Sequence, residues 1–197
     1  MKKYISKLHY LTQDLANLSH TEQVQLACEA GANWIQYRCF SKTNEEMLEE
    51  LHPIASICDD WGATLIVTNH THLVHLVDIQ GVHIEDTNAD LSLVRKQIGE
   101  AKTLGASATN LEQIKKHIKN SADYIGCGPF AHTNTKPNKY EPWGISGYQH
   151  AVETLKNEGI IFPLIAVGGI KLHDVEAIME TGVAGIAVSA AINLSED

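Results

Sequence analysis

The stretch DYIGCGPFAHTNTK, residues 123–136, begins apolar and ends on Thr133, Thr135 and Lys136. Hydroxyls supply directed hydrogen bonds and a lysine ammonium supplies a point charge, a combination suited to a phosphate. Two more stretches offer groups for the same task. VGGI (167–170) presents backbone N–H groups that glycine leaves open to close approach, Gly169 among them, and VSAAI (188–192) presents Ser189 and Ala190. Polar groups also end the other short apolar runs: Thr12 and Asp14; Gln36, Arg38 and Lys42; Asn69 and His70; His83, Glu85 and Asp86; Ser107. One polar run end needs no explanation, but seven of eight that can bind an anion point to a shared site. His70, His83 and His132 add groups that gain and lose protons near neutrality. His132 also reads plainly as an exposed loop residue. A zinc ion held by His70, His83 and an acid such as Asp86 is a minor alternative.

These residues need a frame. Short runs rich in Val, Ile and Tyr recur at 8–12, 34–40, 64–69, 81–86, 102–108, 123–130, 162–169 and 185–192, and their length and branching predict strands. Helical patterns lie between them. TEQVQLACEAG stops at Gly31. The next helix opens on Thr43 with Glu46 as a capping box, and Pro53 is expected to kink it or mark a break. Others start at Asp90 and Asn110, and one ends before Gly182. Alternating strand and helix means parallel βαβ units, either a closed (β/α)8 barrel or an open doubly wound sheet. No glycine fingerprint follows the first strand, and eight strands favour a single TIM-barrel domain over residues 1–197, with the eighth helix missing or reduced to a stub. In such a barrel the site lies at the C-terminal strand ends, with phosphate held by the loops after strands 7 and 8. A missing eighth helix would expose apolar surface and favour a homodimer.

Composition narrows the function classes. A formal net charge of −9 argues against nucleic-acid binding. No apolar run reaches the roughly 18 residues of a membrane span. The N-terminus lacks the apolar core and cleavage site of a secretion signal, so a cytoplasmic protein is expected. Cys28, Cys39, Cys58 and Cys127 form no C-x-x-C pair and read as free thiols.

The chain resembles the thiamine-phosphate synthase family, which includes the thiazole tautomerase TenI. GCGPFAHTNTK resembles the family's G-x-G-P followed by T-x-T-K; WIQYR its Q-x-R segment; GVHI with VRKQIG its fourth unit; and LIAVGGI its seventh. The resemblance implies a barrel that binds a thiazole phosphate. In the synthase a pyrimidine diphosphate ionises to a carbocation that the thiazole nitrogen attacks, with magnesium holding the diphosphate. Carried over by position, Gln36, Arg38, Asn69, Ser107 and Lys136 would hold the diphosphate. Thr133, Asn134, Thr135 and Gly169 would hold the thiazole phosphate, with amides near Ser189 and Ala190. The departures bear on the metal. Where the family has two magnesium aspartates, this chain has His70 and, by ungapped alignment, Asn88; Asp86 or Asp90 could substitute only if the loop shifts. Phe40 stands where the family has a lysine, with Lys42 the candidate to reach back. Pro129 stands where TenI has its histidine. The implied function is a TenI-like barrel that binds a thiazole phosphate and acts as a tautomerase, with no metal. The alternatives are a magnesium-dependent thiamine-phosphate synthase with a diverged metal site, and a catalytically silent ligand-binding barrel.

Overall fold

The computed structural model describes residues 3–132 and 140–195. Eight parallel strands pair in chain order and close into a barrel: β1 Leu8–Leu11, β2 Trp34–Tyr37, β3 Thr64–Thr68, β4 Gly81–Ile84, β5 Thr103–Ala108, β6 Tyr124–Cys127, β7 Leu164–Val167 and β8 Gly185–Val188. The last strand pairs back on the first, Leu8 opposite Ile186 and Tyr10 opposite Val188. The helices are α1 His20–Glu29, α2 Asn44–Asp60, α3 Leu91–Ile98, α4 Leu111–Lys119, α5 Gly144–Asn157, α6 Val175–Glu180 and α7 Ala190–Asn193. The expected barrel with a stub for its eighth helix is what forms. No helix among the described residues is long and apolar enough to cross a membrane.

The strands end earlier than the apolar runs suggest, for local reasons. β2 stops at Tyr37 because the Arg38 N–H turns to the Thr12 hydroxyl, 2.9 Å away, instead of the ladder. β6 stops ahead of Gly128–Pro129, where proline has no N–H to give. β3 gives way to Asn69, whose φ is 64°, and β7 to Gly168 and Gly169, at 94° and 72°. The end of the last run, 190–193, is helix and not strand.

Capping sets the helix starts. Ser19 with Glu22, and Thr43 with Glu46, form capping boxes, and Asp90 and Asn110 cap α3 and α4. α2 continues through Pro53 without a break. Pro53 faces solvent, where water satisfies the carbonyl that loses its partner, while Met47, Leu51, Ile54 and Cys58 bury the opposite face. α5 has no counterpart in the sequence reading. The link from β3 to β4 holds only a 3₁₀ turn, Thr71–His75.

Two apolar layers result. Leu11, Trp34, Ile66, Tyr124, Ile165 and Ala187 fill the barrel, and a larger set lies between strands and helices. Inside, the His9 ring stacks on Trp34 at 4.4 Å between centroids. Gly105 on β5 makes room for Tyr124, since a Cβ there would lie 2.1 Å from the phenol ring. The short α7 is tied to the barrel by Asn193, whose amide donates to the Leu11 carbonyl at 3.2 Å and whose carbonyl accepts from the Tyr10 hydroxyl.

Candidate active site at the C-terminal mouth

A cavity of about 460 Å³ opens at the C-terminal ends of the strands, within the usual range for small-molecule sites. Among the described residues, Arg38, Glu85, Asp86, Asn88 and Ser107 line it from β2, β4 and β5, and Gly168, Gly169, Ser189 and Ala190 line it from β7 and β8. Because β4 and β8 lie four places apart in a closed ring of eight, the Glu85–Asp86 exit and the Ser189–Ala190 exit stand opposite each other across the mouth.

The first wall is built around Arg38. Its guanidinium Nε donates to Glu85 Oε1 at 2.8 Å and lies 4.4 Å over the Phe40 ring. Both charges of that pair are mostly shielded from solvent. Phe40 therefore gives Arg38 an aromatic face. Asn69 acts through the backbone: its side-chain oxygen accepts the Glu85 N–H at 2.9 Å and so fixes the β4 exit. Asp86 accepts the Asn88 N–H at 2.9 Å, which closes the turn that carries both.

Ser107 ends a buried chain of polar groups. The Tyr124 hydroxyl and His83 Nδ1 are 3.0 Å apart, and His83 Nε2 and Ser107 Oγ 2.9 Å apart. Burial keeps the Tyr124 phenol well above its ordinary pKa, so it stays a donor. With Nδ1 accepting the hydrogen bond from the Tyr124 hydroxyl, the imidazole N–H sits on Nε2, facing Ser107. Ser107 then accepts from His83 and can donate its own hydrogen into the cavity.

The second wall is backbone. Gly168 and Gly169 take positive φ, which bends the chain after β7 toward the mouth. A Cβ on Gly169 would meet the Ala131 and His132 carbonyl oxygens at 2.8 and 2.9 Å, so only glycine fits. α5 holds the neighbouring β6 exit: the Tyr148 hydroxyl donates to the Cys127 carbonyl at 2.6 Å and the Trp143 indole to the Thr109 carbonyl at 3.1 Å.

Of the residues singled out in the sequence, Arg38, Asp86, Asn88, Ser107, Gly169, Ser189 and Ala190 come together on this cavity. His83 is off the lining and, among the described residues, meets it through Ser107. Gln36 lies buried beneath, donating to the Thr68 hydroxyl at 3.0 Å. His70 begins the 3₁₀ turn beside His72 and is off the lining; burial, then His72, lowers its pKa. His132 is exposed and also off the lining. Asp90 does not reach the mouth either, because its carboxylate caps α3 through the Ser92 and Leu93 N–H groups. Lys42 does not reach back but pairs with Glu50 at 2.6 Å. Among the described residues, His70, His83 and Asp86 do not form a zinc-like cluster. Thr133, Asn134, Thr135 and Lys136 lie outside the described residues. Glu85, which the sequence offers only as one of the polar strand ends, and Tyr140, which nothing in the sequence singles out, also line the cavity.

Magnesium takes hard oxygen donors, commonly one or two carboxylates together with substrate phosphates. His70 and Asn88 do not supply carboxylates. The adjoining carboxylates of Glu85 and Asp86, on the cavity wall, fit the donor chemistry.

A family model described as thiamine monophosphate synthase matches residues 9–192. A thiamine-phosphate synthase of Phocaeicola vulgatus is 34% identical over 191 residues, covering 97% of this chain and 92% of the relative. One of Bacteroides fragilis is 36% identical over 190 residues, covering 96% and 93%. The structure of a thiamine phosphate pyrophosphorylase from Pyrococcus furiosus superposes with a TM-score of 0.84 at 28% identity, covering 97% of this chain and 89% of that one.

Proposed function

The chain belongs to the thiamine monophosphate synthase family, and from that premise we propose that its cavity condenses a pyrimidine diphosphate with a thiazole phosphate to give thiamine phosphate and diphosphate. The observation that carries this reading is the pairing of two anion-suited walls across one mouth. The Arg38 and Ser107 wall takes the diphosphate, and the Gly168–Gly169 and Ser189–Ala190 wall takes the single phosphate. The names of the relatives favour this reaction over isomerisation of a thiazole alone.

Each residue's part follows from its surroundings. Arg38 donates to the diphosphate, exchanging its bond to Glu85 for one to the ligand, and the Phe40 ring keeps the guanidinium in plane as it does so. Ser107, supplied with a hydrogen bond by His83, donates its O–H to the same group. As the C–O bond to the diphosphate breaks, negative charge gathers on the leaving oxygens, where preorganised donors lower the barrier most. The amides after β7 and β8 hold the thiazole phosphate so that its ring nitrogen faces the carbon that becomes cationic. Glu85 and Asp86 would hold magnesium, which when bound offsets the diphosphate charge.

A second reading, a TenI-like barrel acting on the thiazole phosphate alone, is favoured by His70 and Asn88 in place of the family's acids. One experiment separates the two. The purified chain is incubated with both substrates and magnesium, and thiamine phosphate is quantified by its fluorescent oxidation product. Magnesium-dependent product supports the synthase. Absence of product, with isomerisation of the thiazole carboxylate phosphate in a parallel reaction, supports the second reading.

A further inference from the structure

Beside the mouth, outside the cavity, three residues from separate loops converge. Asp14 follows β1, His20 opens α1 and Cys39 follows β2. A carboxylate oxygen of Asp14, a ring nitrogen of His20 and the Cys39 sulfur all lie within 4.8 Å of one another. His20 is 3% exposed and Cys39 2%, whereas Asp14 opens to solvent.

The polar bookkeeping at this cluster is incomplete. His20 Nδ1 lies 3.2 Å from Glu50 Oε2. Glu50 also accepts from the Tyr37 hydroxyl at 2.7 Å and pairs with Lys42 at 2.6 Å. A carboxylate only accepts, so His20 Nδ1 is the donor in this contact. Nε2 is then left as a buried nitrogen with no hydrogen-bond partner, 3.4 Å from Asp14 Oδ1. A buried ring nitrogen facing a carboxylate and a sulfur is the donor arrangement of a metal site.

We infer that Asp14, His20 and Cys39 form a zinc site that pins the β1 and β2 exit loops together beside the mouth. Sulfur, imidazole nitrogen and carboxylate oxygen are the donors zinc takes, at about 2.0–2.3 Å, which places tetrahedral donors about 3.5 Å apart. A modest closing of the cluster meets that spacing. The supporting contacts are of the kind that orient metal ligands. Glu50 holds the far nitrogen of His20; the Phe40 N–H and the Ser41 hydroxyl each bond Asp14 at 2.9 Å. The exposed side of Asp14 gives the ion an entry path and room for a water as fourth ligand. Cys39 directly follows Arg38, so the site would fix the loop that carries the diphosphate ligand. It is separate from the proposed Glu85 and Asp86 site and does not depend on the reaction assigned to the cavity.

The test uses the tag-free full chain, stripped of metal and titrated with zinc against a chromophoric chelator, then with cobalt as a spectroscopic probe. One equivalent of zinc should bind at submicromolar affinity, and cobalt should give a near-ultraviolet thiolate-to-metal band. Cys39→Ser should abolish the band and weaken zinc at least a hundredfold, and Asp14→Asn should weaken it at least tenfold. Cys58→Ser, elsewhere in the core, should leave both unchanged, and circular dichroism checks that each variant folds. No stoichiometric binding would overturn the proposal and leave an imidazolium between two carboxylates. So would binding that survives Cys39→Ser.

Discussion

Replacing Gly169 with alanine tests whether the loop after β7 is a phosphate-binding wall. Its φ of +72° is left-handed, and a Cβ would lie 2.8 Å and 2.9 Å from the carbonyl oxygens of Ala131 and His132. The conformation costs an L-residue about 1–2 kcal/mol, and the contacts require the β6 and β7 exits to move apart. Gly182 provides a matched control. Its φ is +89°, but a Cβ there meets only the Val152 and Lys156 side chains, at 3.2 and 3.6 Å, and it lies far from the mouth after α6. Gly182→Ala therefore carries a similar backbone cost without the displacement. A hydrogen bond to a charged group is worth about 1.5–3 kcal/mol, so misplacing one amide should weaken thiazole-phosphate binding roughly ten- to a hundredfold. Calorimetric titration with thiazole phosphate, alongside thermal melts, reads both effects. Both variants should lose stability, and only Gly169→Ala should lose affinity. Two variants that melt alike and bind thiazole phosphate as tightly as the parent would refute the assignment of this wall.

Two further outcomes follow from buried charge. Burial, reinforced by His83, lowers the pKa of His9 to about 3 against its hydrogen bond to the Ser6 carbonyl. Between pH about 6.5 and about 3 the unfolded chain binds a proton that the folded chain refuses, so stability falls as pH falls, by about 1.4 kcal/mol per unit and roughly 4–5 kcal/mol in all. His9→Gln should flatten that part of a urea-stability profile even though it loses the stacking on Trp34; an unchanged slope would show that His9 does not titrate this way. At the mouth, Glu85→Gln releases Arg38 from its ion pair. Pyrophosphate binding without magnesium should tighten about tenfold (~1.4 kcal/mol), and the gain should vanish with magnesium if Glu85 helps to hold the metal. Weaker binding without magnesium would mean that Glu85 positions Arg38 and does not compete for it.

The barrel was legible because short branched strands alternate with capped helices, a pattern that few architectures satisfy. Thr43 with Glu46 is legible as a capping box and forms one, and Asn110, legible as a helix start, proves to be the cap of α4. Asp90 marks a helix start and a candidate metal acid in the sequence, and the backbone N–H groups of α3 take its carboxylate as a cap. α5 escaped notice because Gly144 and Gly147 dilute its first turn and its N-cap, Trp143, makes no side-chain cap bond; its buried positions Tyr148, Ala151, Val152 and Leu155 do carry the helical spacing. Of the mouth residues, those at strand ends could be read from the alternation alone. The partners that orient them could not. Tyr124 behind His83, Glu85 beside Arg38 and Phe40 beneath it depend on strand register and on side-chain direction. The Asp14, His20 and Cys39 cluster escaped for the same reason, since no sequence spacing brings three loop positions together.

A crystal structure of the chain with thiamine phosphate, diphosphate and magnesium tests the two-walled cavity most directly. The account predicts the thiamine phosphate group against Gly169 and Ser189, and the diphosphate against Arg38 and Ser107, with Arg38 released from Glu85 and the metal on Glu85 or Asp86. A diphosphate bound elsewhere, with Arg38 still paired to Glu85 while the phosphate occupies the β7–β8 wall, would contradict it and leave a barrel that binds the thiazole alone.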